Sequence, residues 1–262
     1  MRPLPTIFVS HGAPSLALEP NETGPMLNAW MKPYTPEVIL VISAHWETQH
    51  GHALTGHHQP PTIHDFSGFD PALYQIHYPA PGAPQWADTI ATRLRAAGFN
   101  SAVDKQRGLD HGAWVPLLYL SPAANIPVVQ LSLDHAQGPK AHYRLGQLLK
   151  PLRNESVLII GSDGLTHNLP QAFRHQPNDP ADPSVEAFVE FVMRCLAQRD
   201  FERLIDYRST HPLGALHHPS EEHLMPLFVV AGASDSGDEW RRHHGGVSYS
   251  LLSMDAISAG TP

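Results

Sequence analysis

Histidine is the residue type in this chain that most needs an explanation. The 262 residues include 19 of them, more than the 17 lysines and arginines together. An imidazole with an ordinary pKa of about 6.5 moves protons near neutrality, and when neutral it ligates metals through a ring nitrogen. Three histidines share one setting: "TIFVS" runs into His11, "EVILVISA" into His45, and "SVLIIGS" into the loop "DGLTHNLP" that holds His167. In open α/β sheets, ligands bind beyond the carboxyl ends of the strands, where loops converge. If the three strands are parallel and adjacent, three imidazoles meet. A single histidine after a strand is more often a hydrogen-bonded loop residue. Three of them weaken that reading, because an unpartnered buried polar group costs roughly 1–3 kcal/mol, and the spacing favours a shared metal.

Two further histidines qualify. His223 stands in "PSEEHLMPLF", where Pro219 and Ser220 read as a helix start and Glu221 and Glu222 sit in its first turn. The two glutamates either face solvent or support metal ligands. His111, in "GLDHGAWVPLLYL", precedes another apolar helix. The pairs His57–His58, His217–His218 and His243–His244 fall in polar stretches and read as solvated, His217 least clearly.

Other chemistries lack their residues. The chain has no GxxxxGK[ST], no GxGxxG after a strand and no HExxH, and "SHGAPS" is not a nucleophile elbow. Beyond the abundance of histidine, nothing supports Ser10 or Ser15 as a nucleophile. The single cysteine excludes a disulfide framework and a cysteine zinc site. Cys195 lies beside the helical stripe Val185, Phe188, Val189, Val192 and Leu196 and reads as a packing thiol.

The elements that must position these residues are α/β in pattern. "TIFVS", "EVILVISA", "IPVVQLSL", "SVLIIGS" and "VSYSLLSM" read as strands, and the apolar runs suit a sheet covered on both faces. "PQWADTIATRLRAAG" reads as a helix, with Pro84 at its start, Gly98 as its stop and Trp86, Ile90 and Leu94 on one face. "AHYRLGQLLKPL" reads as another, its last turn interrupted by Pro151. The alternation predicts one three-layer α/β domain over residues 1–262, with a central mostly parallel or mixed sheet and helices on both faces. The stretch of about 47–82, rich in His, Pro and Gly, reads as a lid-like insertion or as small elements without a clear period.

Bulk properties narrow the function further. A formal charge of -8 offers no basic stripe for nucleic acid. There is no signal-like leader and no apolar run long enough to span a bilayer, so the expectation is a soluble cytoplasmic protein. A chain of this size buries roughly 70–75% of its unfolded surface, so a metal here serves function rather than stability.

Seven segments occur in a single order: "FVSHGAPSLAL", "VISAHWET", "HDFSGFDPALYQIHYPAPG", "RGLDHGAWVPLLYL", "VQLSL", "IIGSDGLTHNL" and "PSEEHLMPLF". Together, from about Thr6 to Leu252, they resemble the DOPA 4,5-dioxygenase type of extradiol ring-opening dioxygenases, relatives of the protocatechuate 4,5-dioxygenase catalytic (LigB-like) subunit. The resemblance implies a non-haem metal enzyme that inserts O₂ into the ring of a catechol such as DOPA or a related acidic catechol, giving a ring-opened semialdehyde. It implies that His11, His45 and His223 hold the metal: Fe(II) for activity, with Zn(II) plausible in the purified protein. The protocatechuate relatives carry a carboxylate at the position of His223, and Glu221 and Glu222 lie just before it. His167 is implied as acid/base, or as a fourth ligand when zinc fills the site, and His111 as a pocket residue contacting substrate or oxygen. Phe66, Phe69, Tyr74 and Tyr78 are available to wall a flat substrate, Phe66 and Tyr74 foremost, or to pack a lid onto the core. A zinc-dependent hydrolase on the same scaffold and a non-catalytic metal-binding or interaction protein are the alternatives. Which catechol is used and the oligomeric state stay open at this level.

Overall fold

Ten strands lie among the residues that the computed structural model describes, 2–260. They are β1 (Thr6–Ser10), β2 (Val38–Thr48), β3 (His52–Thr55), β4 (Ser101–Asp104), β5 (Val128–Asp134), β6 (Val157–Asp163), β7 (Glu239–His243), β8 (Val247–Ser248), β9 (Leu252–Ser253) and β10 (Ala256–Gly260). Eight form one sheet in the order β4-β3-β5-β2-β6-β1-β10-β7, and β8 and β9 pair separately. The central strands β5, β2, β6 and β1 are parallel. The flanks reverse: β10 is antiparallel to β1 and to β7, and β3 is antiparallel to β5. β1, β6 and β2 are therefore neighbours with their carboxyl ends on one edge, which is the arrangement that the strand-end histidines require.

The apolar runs split by the two-residue period of a strand. Phe8, Leu40, Ile42 and Ile159 enter the core on one face, whereas Ile7, Val9, Ile39, Val41, Leu158 and Ile160 enter the core on the other. Helices cover both faces, and six of eight or more residues lie among the described residues. α1 (Thr23–Met31) and α3 (His111–Leu120) close the second face. α2 (Pro84–Ala96), α4 (Pro139–Leu149), α5 (Pro183–Gln198) and α6 (Met225–Gly232) close the first. The outcome is a single three-layer α/β domain. Cys195 is buried in α5 as a packing thiol.

"VSYSLLSM" is not a strand of the central sheet. Tyr249 and Ser250 adopt φ of 50° and 61°, the left-handed region that breaks a strand, and the stretch folds into the two-residue strands β8 and β9. The strand that lies beside β1 on this side of the sheet is β10, "AISAG", whose small residues carry little apolar signal. His45 lies within β2 rather than in a loop after it, inside the stretch between Ile42 and Glu47 where the register with β5 shifts. The stretch of 47–82 supplies β3 to the sheet and then a 3-10 turn, Pro71–Gln75. The pair His217–His218 is fully buried, not solvated. His218 Nε2 bonds the Leu165 carbonyl (2.9 Å) and the His217 carbonyl accepts the His167 N–H (2.8 Å), so both pin the loop that carries His167. His58 and His244 are exposed and His57 and His243 half-buried.

Two glycines allow helices to approach the site. A Cβ on Gly161 would lie 2.5 Å from the Pro226 carbonyl oxygen, so its absence seats α6 on β6. A Cβ on Gly112 would lie 2.3 Å from Ser43 Oγ and 2.9 Å from His45 Cδ2, so the start of α3 rests directly on the imidazoles.

Candidate metal centre

The carboxyl ends of β1 and β6 are tied together by the His11 N–H donating to the Asp163 carbonyl (2.8 Å). That bond fixes His11, whose Nδ1 meets Ser162 Oγ at 2.9 Å and whose Nε2 faces His45 Nε2 at 3.2 Å. His111 opens α3, capped by Asp110, which accepts the Ala113 N–H. Its ring centre lies 3.9 Å from that of His45 and 5.2 Å from that of His11. One ligand atom from each of His11, His45 and His111 lies within 4.8 Å of the other two, and the same holds for Asp163, His167 and His223.

Asp163 joins the two groups. It is the last residue of β6 and 2% exposed. Its Oδ2 lies 3.3 Å from His45 Nε2, and its Oδ1 lies 3.1 Å from His223 Nδ1 and 3.8 Å from His167 Nε2. His223 occupies a 3-10 turn, Glu222–Leu224, ahead of α6, and its ring stacks on that of His167 with centres 3.5 Å apart. Its Nε2 lies 3.0 Å from Glu222 Oε1, which makes Glu222 a support of the site rather than a solvated acid. The His45 and His223 ring centres are 6.4 Å apart, and His223 turns its nitrogens to the two carboxylates.

The electrostatics separate the imidazoles. Burial holds His11 well below its ordinary value, and neighbouring His111 adds to this. Burial also lowers His45 and His167, with Asp163 opposing in both. These three present neutral rings with lone pairs near pH 7. His223 differs: burial pulls it down, but Asp163 and Glu222 outweigh burial and push it up to about 10. Burial alone would raise Asp163, yet His223 and His167 hold it well below the carboxylate range. The same site therefore contains bare imidazole nitrogens and a demand for positive charge.

That donor set fits a divalent cation. His11 and His45 point ring nitrogens at each other, and Asp163 Oδ2 is a buried carboxylate oxygen without a hydrogen-bond partner. Nitrogen and carboxylate donors suit Zn(II) or Fe(II).

Asp65, which motif reading missed, belongs to the same edge. Its Oδ1 accepts the His111 N–H (2.9 Å), and its Oδ2 lies 3.0 Å from His111 Nδ1 but off the line of a good hydrogen bond. Burial would raise Asp65, but the contacts with His111 bring it down to about 2. Phe66, the next residue, meets the His111 ring edge-on at 5.7 Å. Tyr74 packs on Phe66 at 5.2 Å and Phe69 at 5.5 Å, while Tyr78 is buried with its hydroxyl on the Ser121 carbonyl. Asp163 was missed as well. The available signal was an acid ending an apolar strand, a position where Asp is rarely buried without a partner.

A mostly parallel α/β sheet with such a donor cluster at its carboxyl edge is compatible with a metal-binding enzyme. The chain belongs to the LigB family of extradiol aromatic ring-opening dioxygenases: residues 7–256 match the family described as "Catalytic LigB subunit of aromatic ring-opening dioxygenase". It is 39% identical over 253 residues to a "4,5-DOPA dioxygenase extradiol" of Beta vulgaris, covering 95% of this chain and 93% of that one. A protein of the same description from Escherichia coli K12 is 37% identical over 262 residues, covering 98% and 95%. The crystal structure of an uncharacterised E. coli K12 protein superposes with a TM-score of 0.80 at 31% identity, covering 98% of this chain and all of that one.

Proposed function

We propose that this chain is an Fe(II)-dependent extradiol dioxygenase whose substrate is DOPA or a related acidic catechol, and that His11, His45 and His223 are its metal ligands, His223 binding once it gives up the proton that Asp163 and Glu222 hold on it. The observation that carries the reading is the meeting of strand-end imidazoles, His11 Nε2 and His45 Nε2 at 3.2 Å, beside a buried carboxylate. The likeness over most of the chain to proteins described as 4,5-DOPA dioxygenases supports the substrate class. When bound, Fe(II) supplies a common partner through which a closed-shell catechol and dioxygen can exchange electron density.

The protein's own groups do the rest. His167 is the acid/base. Burial keeps its ring neutral and ready to accept a phenolic proton, and the Asp163 carboxylate 3.8 Å away stabilises the imidazolium that results. His111 is the second pocket histidine. Asp65 grips both its N–H and the flank of its ring, so the ring keeps its face to His45. Phe66, edge-on to His111, walls the substrate and excludes water, and Tyr74 backs it. The stretch that carries both aromatics and Asp65 acts as the lid.

Anaerobic reconstitution with Fe(II), followed by oxygen-electrode assays over a panel of catechols, tests this. Stoichiometric oxygen uptake with DOPA or another acidic catechol and a yellow product are expected. A loaded protein that consumes no oxygen with any catechol would remove the reading. His167→Ala is expected to lower turnover by about 10²–10⁴-fold, the span of a lost acid/base, while retaining metal.

A further inference from the structure

The Asp163 carboxylate is held at the centre of the site by the fold, and only one of its oxygens has a hydrogen-bonding imidazole. Oδ1 accepts His223 Nδ1–H at 3.1 Å. Oδ2 is buried and has no hydrogen-bond partner, although it lies 3.3 Å from His45 Nε2. A buried carboxylate oxygen left in this state is costly, the more so for a charged group. Two donors bound about 2.1 Å from one ion at right angles to each other lie about 3.0 Å apart, and at the tetrahedral angle about 3.4 Å. The His11 Nε2–His45 Nε2 distance of 3.2 Å and the His45 Nε2–Asp163 Oδ2 distance of 3.3 Å both fall in that interval.

We infer that Asp163, through Oδ2, is an anionic ligand of the metal in the substrate-free protein, alongside His11 and His45. The inference rests on the metal-centre reading above and gives that centre a negative donor which an all-histidine set lacks. Oδ1 meanwhile keeps its bond to His223 Nδ1–H, so one carboxylate both binds the ion and orients a neighbouring ring.

The test uses chelator-stripped full-length protein titrated with Co(II), an ion that reports its ligands in its visible spectrum. Wild type is expected to bind one Co(II), and Asp163→Asn to bind it at least about 100-fold more weakly with an altered spectrum. Asn keeps an oxygen acceptor for His223, so a carboxylate that only orients the ring predicts a loss of less than about 100-fold with the wild-type spectrum, and a loss below that bound would overturn the inference. His11→Ala separates the two claims. If it abolishes Co(II) binding while Asp163→Asn does not, the centre stands and only the Asp163 assignment falls. If wild type takes up no Co(II), both fall. Should Asp163→Asn fail to fold, a crystal structure of the wild-type protein soaked with Co(II) decides. An Asp163 oxygen about 2.0–2.2 Å from the ion supports the assignment, and one without an oxygen in contact refutes it.

Discussion

At the scale of single residues, function here depends on how closely backbone can approach imidazole. Gly112 lies in the first turn of α3, and a methyl there would meet Ser43 Oγ, His45 Cδ2 and His11 Cε1 within 2.3–3.1 Å. Alanine is intrinsically better than glycine in a helix by about 1 kcal/mol, so any loss on Gly112→Ala reflects crowding of the site. Metal affinity is expected to fall by at least about tenfold, in line with an overpacking cost of about 1–3 kcal/mol, with little change in the far-UV circular dichroism spectrum. Unchanged affinity in a chelator competition would show that the imidazoles tolerate the displacement. His11, His45 and His167 were legible in the sequence because each follows a buried strand, and His223 and His111 because each precedes an apolar helix. Asp163 and Asp65 were not, because a carboxylate betrays its role only through the groups it touches: Asp65 reaches His111 from 46 residues away and Asp163 reaches His223 from 60.

At the scale of elements, the carboxyl edge of the sheet is kept in place from its opposite end. Arg153 and Asp238 form a fully buried pair at 2.6 Å, and Arg153 also donates to the carbonyls of Leu4 and Ala233. One guanidinium thus ties the chain entering β1 to the turn that precedes β6 and to the end of α6. Asp238→Asn leaves that buried charge with only the partly exposed Asp235 carboxylate at 3.6 Å and is expected to lower stability by about 3 kcal/mol in urea denaturation. Replacing both residues with apolar ones of similar volume is expected to cost less than either single change. A single variant as stable as wild type would mean that the pair does not bind these elements together. The parallel central strands were legible from their continuous apolar runs. β7, "EWRRH", was not, because an edge strand exposed to water carries charge, and β10 was not, because its side chains are small.

At the scale of the whole molecule, buried neutral histidines make stability depend on pH. His142 Nδ1 donates to the Gly138 carbonyl and its Nε2 accepts the Asp134 N–H, which fixes one neutral tautomer. Burial lowers it to about 4, and His218, buried likewise, lies at about 3. Both folded values lie below the unfolded value of about 6.5, so the unfolded chain binds the protons that the folded chain refuses. Their contribution is complete above about pH 6.5 and declines as pH falls toward the folded values. For His142 alone the decline between pH 7 and pH 5 is on the order of 2 kcal/mol. Urea midpoints of chelator-stripped protein are expected to fall across that window, and less steeply in His142→Gln. Equal slopes would contradict the assignment of His142 as a buried neutral ring. The three-layer architecture was legible from the alternation of strand and helix patterns. The burial of His217 and His218 was not, because it arises from a packing of α5 and the loop after β6 that no local pattern encodes. Among the described residues no helix is long and apolar enough to cross a membrane.

The most direct measurement of the central claim is isotopic. Fe(II)-loaded protein is supplied with ¹⁸O₂ and DOPA, and the ring-opened product is trapped and weighed by mass spectrometry. A dioxygenase places both labelled atoms in the product. A product formed without label, or formed equally well without oxygen, would contradict ring-opening by this centre and return the site to hydrolytic chemistry.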